Sequence, residues 1–303
     1  TVNAVKVAKG QPPQTREEFL AQIKGGCRTV GAFESQYMCV PNRAGGEQLI
    51  KPGDIAAAQR PFAMVRLHIE GMDELESHRY LTDVGFWRDL FGKTRHEIGW
   101  DIAVTGDLSS IFVNRRDGDI RRLAALVTLH RCDRISAQRK ILEAMLDASY
   151  NVVGAGDMSG LGRDACTELF LRYTISTAAK TSRFVGVAFT AQSKLTLGVT
   201  AQSAYEQHRQ LLPLDCPEIA ADVAGIKTAS TMAGKLTLVE TKNELLPDSH
   251  CDIFWSNALA LYAGETIEDA GPCRMAPAGE HDDPWGPRGV KGWDYPDHDD
   301  DYI

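Results

Sequence analysis

A chain of 303 residues with 43% hydrophobic side chains can bury a proper core, as one large domain with appendages or two modest domains. No apolar run reaches the roughly 18 residues of a membrane span, the first residues lack the apolar stretch of a secretory signal, and the seven scattered cysteines form no C-x-x-C pair that would bind zinc. The net charge of −8 excludes nucleic acid only on average, because residues 280–303 hold eight acids against Arg288 and Lys291 and so carry −6, leaving −2 for the rest and room for a local basic groove. These features predict a soluble intracellular protein, neither secreted nor bound to a membrane, with reduced thiols.

Residues 1 to about 14 are polar, with Pro12 and Pro13, and read as a flexible lead-in. Thr15-Arg16-Glu17-Glu18 is a capping-box pattern that opens a short helix to about Lys24, ended by Gly25-Gly26. Residues 33–41 mix aromatic and apolar side chains, and 42–53 are loop-like around Leu49-Ile50. Residues 1–60 are therefore read as an accessory arm or linker. Residues 62–69 suit a strand, and 72–91, acidic then aromatic, are helical or irregular. Three strands follow at 98–104, 109–114 and 120–129, parted by Gly106 and the Asp117-Gly118 turn.

A helix over 136–150 carries Ile141, Met145 and Leu146 on one face. After it come a strand over 151–156, a glycine-rich turn, a helix over 163–173, a strand over 184–189, a helix over 192–212 and a short one over 218–224. Residues 226–231 and 235–241 form a hairpin across Ala233-Gly234. A last helix over 252–262 precedes the acidic tail, 266–303, expected to be disordered. Three antiparallel strands, helix, strand, helix, strand and final helix is the order of a ribonuclease-H-like α/β domain, placed at 61–265. The expected fold is a mixed sheet flanked by helices, with an added hairpin and an N-terminal arm.

Three acids stand where such a fold would converge them. Asp101 lies in the first strand, Asp157 ends the strand before the Ser159-Gly160-Leu161-Gly162 turn, and Asp252 opens the last helix. Phosphodiester hydrolysis must activate a water and stabilise a leaving oxygen beside a polyanion, work suited to divalent ions held by hard carboxylate ligands. Taken singly, an Asp after a strand is more often a turn former, and Asp252 is equally a helix cap.

The run at 153–169, VGAGDMSGLGRDACTEL, resembles the second metal-site motif of the large terminase subunits of Mu-like tailed phages. The stretch His250-Cys251-Asp252-Ile253-Phe254-Trp255, continuing into an Ala-Leu-Ala helix, is similar to their last motif. Gly99-Trp100-Asp101-Ile102 with Gly106-Asp107-Leu108-Ser109 is similar to the first, and Phe33 to Pro41 is similar to the segment after their ATPase domain.

The resemblance implies an endonuclease, a phosphodiester hydrolase, that cuts concatemeric viral DNA during genome packaging in the host cytoplasm. It uses two Mg²⁺ or Mn²⁺ ions on Asp101, Asp157 and Asp252, with His250 and Asp107 as auxiliary ligands. It also implies double-stranded DNA, the terminase ATPase domain, the small terminase subunit and the portal as partners. No G-x-x-x-x-G-K-S/T phosphate cradle occurs, so the chain reads as the nuclease part alone and no ATPase activity is expected. Arg183, Lys194, Lys227, Lys235 and Lys242 are the candidate DNA contacts, against the commoner role of solvated surface charge. Two alternatives stay open: a junction-resolvase nuclease of the same fold, and a non-catalytic packaging or portal-binding module.

Overall fold

The computed structural model describes residues 12, 14–26, 48–103, 108–178, 181–230 and 236–267. The first elements are α1 (Arg16–Gly26), α2 (Pro52–Ala58), β1 (Gln59–Arg60), β2 (Val65–Glu70), α3 (Gly71–Ser77), α4 (Val84–Phe91) and β3 (Arg95–Asp101). Next come β4 (Leu108–Asp117), β5 (Ile120–His130), α5 (Ile135–Ala148), β6 (Val152–Asp157), α6 (Gly162–Arg172), β7 (Thr174–Ser176), β8 (Thr181–Ser182) and β9 (Phe184–Val187). The last are α7 (Ala191–Glu206), β10 (Gln210–Pro213), α8 (Pro217–Ala224), β11 (Ile226–Ser230), β12 (Leu236–Glu240) and α9 (Asp252–Thr266).

The β3–β4–β5 stretch is an antiparallel meander whose second turn is made by Gly118 at φ +64°, the conformation that favours glycine. β6 joins β3 in parallel and β9 joins β6 in parallel, so the central order is β5, β4, β3, β6, β9. This is the mixed sheet of a ribonuclease-H-like domain. On its far side, β5 pairs in parallel with β2 along its second half and with β10 at its start; β10 in turn carries β1.

Strand alternation sorts the core into two layers. Ile98, Trp100, Ile111, Val113 and Val127 face one side, where α4, α5 and α6 supply Trp87, Phe91, Ile141, Met145 and Leu169. Phe112, Leu126, Val153 and Ala155 face the other, where α7, α8 and α9 supply Leu197, Tyr205, Ile219, Phe254 and Leu259. α9 is buried nearly all round, as expected of a helix between the sheet and α7 and α8. None of the described helices is long and apolar enough to cross a membrane.

Several elements depart from the sequence expectation. The Thr15 capping box forms as expected, with Glu18 N–H donating to Thr15 Oγ1 at 3.1 Å and Thr15 N–H to Glu18 at 2.8 Å, yet α1 runs on through both glycines. Residues 48–60, grouped on sequence with the N-terminal arm, pack into the core through Ile50, Ile55 and Ala58. The helix expected over 192–212 stops at Glu206, because His208 takes a left-handed φ of 54° and Gln210–Pro213 is drawn into the sheet. Phe33 to Pro41, the Ala233-Gly234 turn and the tail from 268 on lie outside the described residues.

One buried group ties stability to pH. His96, at the start of β3, is 1% exposed and stacks on Phe91 at 4.3 Å, and burial pushes its imidazole down to about 4. A histidine kept neutral by folding contributes stability that is complete above its ordinary value of about 6.5 and is lost as pH falls through the folded value. Denaturant unfolding at pH 7 and pH 4 is expected to show about 3 kcal/mol more loss in the native chain than in His96→Leu. Equal losses in the two proteins would show that His96 does not carry this linkage.

Candidate metal centre

The same alternation decides which acids meet. On β3 the side chains of Ile98 and Trp100 face the α5–α6 layer, so Glu97, Gly99 and Asp101 face α9; on β6, Val153, Ala155 and Asp157 do likewise. β3 and β6 run in parallel with Trp100 opposite Gly156, so the two strands end together. α9 begins at that end, with Asp252 as its first residue. Ends of parallel strands next to loops are where α/β sheets build their sites.

Close packing holds these positions. The first turn of α6 sits under the carbonyl of Asp157, which is possible because Gly162 has no side chain there. Ser159 fixes the Asp157 carboxylate by donating its N–H to Oδ1 at 2.8 Å, and its hydroxyl accepts the N–H of Phe189 at 2.7 Å. At Asp101, Ser109 brackets the outgoing strand by accepting from Ala103 N at 2.7 Å and donating to Ala103 O at 2.9 Å. Asp252 accepts the N–H of His250 on Oδ2 at 2.9 Å.

Electrostatics mark the cluster. Asp101 is 8% exposed, and its carboxyl is raised well above the usual carboxylate range, first by burial and then by the charges of Asp252 and Asp157. Asp157, 9% exposed, is also raised by burial, with the hydrogen bonds from Ser159 and the charge of Lys194 working against it. Asp252 and Asp157 thus both stand within electrostatic reach of Asp101. Among the described residues, no three His, Cys, Asp or Glu side chains are drawn together tightly enough to hold an ion as they stand.

Lys194, on α7, is the cation that lowers both Asp101 and Asp157. Its ammonium donates to Glu240 at 2.6 Å and lies 4.7 Å from the Trp255 ring centre and 5.2 Å from that of Phe189. Trp255 Nε1 donates to the same Glu240 oxygen at 2.9 Å. Glu240, at the end of the hairpin, in turn raises Asp101. Sequence analysis did not single out Glu240, which no local pattern marks. Four carboxylates and one ammonium leave an excess of negative charge at one sheet edge, the condition that draws divalent cations.

The other sequence candidates fall in different places. His250 is exposed beside Asp252, Lys242 is exposed just after β12, and Lys227 is half-buried in the hairpin. Asp107 and Lys235 lie outside the described residues. Arg183 is 8% exposed, its guanidinium donates to the carbonyls of Leu146 and Ser149 at 2.9 Å and Val152 at 3.3 Å, and Tyr150 and Tyr173 stack on it. It caps α5 at the end of the sheet opposite Asp157.

No family model matches this sequence, and no curated protein does. Solved structures do match. The large terminase of a thermophilic bacteriophage superposes with a TM-score of 0.50 at 9% identity, covering 81% of this chain and 53% of that one. This chain shares its fold with about half of that large terminase. The large terminase nuclease of thermophilic phage G20c, with bound magnesium, gives a TM-score of 0.44 at 19% identity over 61% of this chain and 98% of that one. The large terminase nuclease domain of bacteriophage SPP1, with bound Mn, gives 0.37 at 12% over 58% and 90%. The likeness extends over several phages and does not single out the Mu-like ones. This chain spans about half the length of the full large terminase.

Proposed function

We propose that this chain is a divalent-metal-dependent DNA endonuclease, the nuclease part of a terminase large subunit that cuts concatemeric viral DNA during packaging. The observation that supports this reading is that Asp101, Asp157 and Asp252 stand at one sheet edge, where burial and then the charges of Asp252 and Asp157 raise the Asp101 carboxyl. The terminase fold supports it.

Three hard oxygen donors from three separate elements suit Mg²⁺ or Mn²⁺ better than a thiophilic ion. In this reading Asp101, Asp157 and Asp252 would together hold the two ions. When bound, the ions supply an activated water and counter-charge for the leaving oxygen. The chain's own groups do the placing. Ser159 holds Asp157, while Trp255, Phe189 and Glu240 orient Lys194 so that its charge meets an approaching phosphate. Lys242 and Lys227 on and after the hairpin extend that contact along the DNA backbone. The ATPase domain, the small subunit and the portal are the partners this reading assigns, and the host cytoplasm is its place of action.

The test is cleavage of supercoiled plasmid. Nicked and linear DNA should appear with Mn²⁺ or Mg²⁺ and disappear with a chelator, and either ion should raise the melting temperature by mass action on the folded state. A protein that neither binds Mn²⁺ in calorimetry nor cuts duplex DNA ends the nuclease reading and leaves a metal-free packaging module.

Lys194→Ala separates the two roles of the ammonium. Removing a cation from beside the carboxylates should tighten Mn²⁺ binding about two- to fivefold, the equivalent of the ~0.5–1 kcal/mol of a partly exposed charge interaction. Plasmid cleavage should nonetheless slow, because the phosphate loses its partner. Calorimetry and cleavage moving in the same direction would contradict this assignment.

A further inference from the structure

α9 starts without a cap of its own. Its N-cap residue, Cys251, makes no side-chain cap bond and sits in the left-handed region at φ 68°, which costs a non-glycine residue energy. The first N–H groups of a helix have no partner within it and must find one elsewhere. Here they find it on another helix. Asp222 of α8, fully buried, accepts the N–H of Phe254 on Oδ2 at 3.0 Å. Its Oδ1 accepts from Ser249 Oγ at 2.7 Å and Asn243 Nδ2 at 3.0 Å. The Ser249 hydroxyl in turn accepts the N–H of Asp252 at 3.2 Å, and Trp255 N–H closes on Cys251 O at 3.0 Å. Of the leading N–H groups of α9, that of Phe254 is thus met by Asp222 and that of Asp252 by the serine that Asp222 holds.

We propose that Asp222 is a positioning residue for the metal centre, acting as a cap supplied from α8 that sets where Asp252 stands relative to Asp101 and Asp157. This rests on the nuclease reading given above. Every group that meets the Asp222 side chain is a donor, so only a carboxylate satisfies them all; an amide in its place turns an NH₂ group toward donors. The rest of α9 is anchored independently. Arg95 donates to Ile267 O at 2.6 Å, Arg116 to Gly264 O at 3.3 Å, and Ser256 shares a hydroxyl bond with Ser110 at 2.8 Å. Loss of the cap therefore frays the first turn, which carries Asp252, while the body of the helix stays docked.

The experiment compares the native chain, Asp222→Asn, Ser249→Ala, Asp252→Asn and Asp222→Asn/Asp252→Asn for Mn²⁺ affinity by calorimetry, alongside plasmid cleavage and thermal unfolding. Asp222→Asn should weaken Mn²⁺ binding by roughly 10- to 100-fold, the usual effect of a residue that orients a ligand. Ser249→Ala should show a smaller loss in the same direction. In the Asp252→Asn background, Asp222→Asn should add nothing further to the loss of Mn²⁺ affinity, because it acts through Asp252.

A generally destabilising change would instead lower the melting temperature and leave Mn²⁺ affinity at low temperature intact, and additive losses would equally overturn the proposal. Should Asp222→Asn fail to fold, Ser249→Ala carries the test alone: unchanged Mn²⁺ affinity there overturns the proposal. If the native chain binds no Mn²⁺, the nuclease reading itself has failed, and that result is distinct from native binding that Asp222→Asn leaves untouched.

Discussion

Asp101→Asn is expected to move activity and stability in opposite directions. Cleavage should fall on the order of a thousandfold or more, since in the proposed reading Asp101 is one of the three carboxylates that would hold the ions, and its loss removes several kcal/mol of charge stabilisation. Metal-free stability should rise, on the order of 1–2 kcal/mol. The reason is that the ionised Asp101 is buried and repelled by Asp252 and Asp157. The sign with pH follows. A carboxyl raised by folding contributes stability that is complete below its ordinary value and is lost as pH climbs through the raised one. The metal-free native chain should therefore lose stability over that window, and Asp101→Asn should lose less.

Added Mn²⁺ inverts the comparison. It should raise the melting temperature of the native chain and leave that of Asp101→Asn nearly unchanged. Measured by scanning calorimetry with and without Mn²⁺, this crossing of two stability orders is specific to a metal ligand. A buried aspartate kept for packing would lose stability on substitution in both conditions, and that outcome would remove Asp101 from the centre.

The places of Asp157 and Asp252 were legible in the sequence because one ends and the other opens an element whose period is plain, whereas Asp101, expected inside a strand over 98–104, ends β3. Val152 to Gly156 is a short apolar run before glycines, and Ile253 onward is a dense apolar helix. The partners that give the cluster its character were not legible. Glu240 closes an ordinary-looking hairpin strand, and only the packing of that hairpin over Trp255 brings it to Lys194. Asp222 caps a helix 32 residues further along the chain, beyond any local capping pattern. Arg183 looked like a strand-side basic residue because sequence spacing does not show which end of the sheet a residue occupies. Gln210 to Leu212 continued the apolar period of α7, and pairing with β5 and β1 overrode it once His208 turned the chain.

The second large effect is expected from Gly99→Ala, a change of one methyl group. Gly99 lies in β3 on the face that α9 covers, and a Cβ there would fall inside the Ser256 carbonyl and 2.5 Å from the Ala260 nitrogen. Both obstacles are helix backbone, so no side-chain rotation relieves them. Nor can α9 bend away locally: its start is held by Asp222 and Ser249, its end by Arg95 and Arg116.

The whole helix must lift from the sheet, at a cost of about 3 kcal/mol or more, the upper range for overpacking a core. Because Asp252 is its first residue, the lift also moves one carboxylate away from the two held by the sheet. A displacement near 1 Å at a reacting centre costs about a hundredfold in rate, so surviving folded protein should cleave that much more slowly with a weaker response to Mn²⁺. Gly53→Ala is the control, since nothing lies within 4 Å of a Cβ there. It should be neutral or stabilise α2 by about 0.5–1 kcal/mol. Gly99→Ala melting and cutting like the control would mean that α9 is free to shift on the sheet, and that the spacing of the acids is not fixed by this contact.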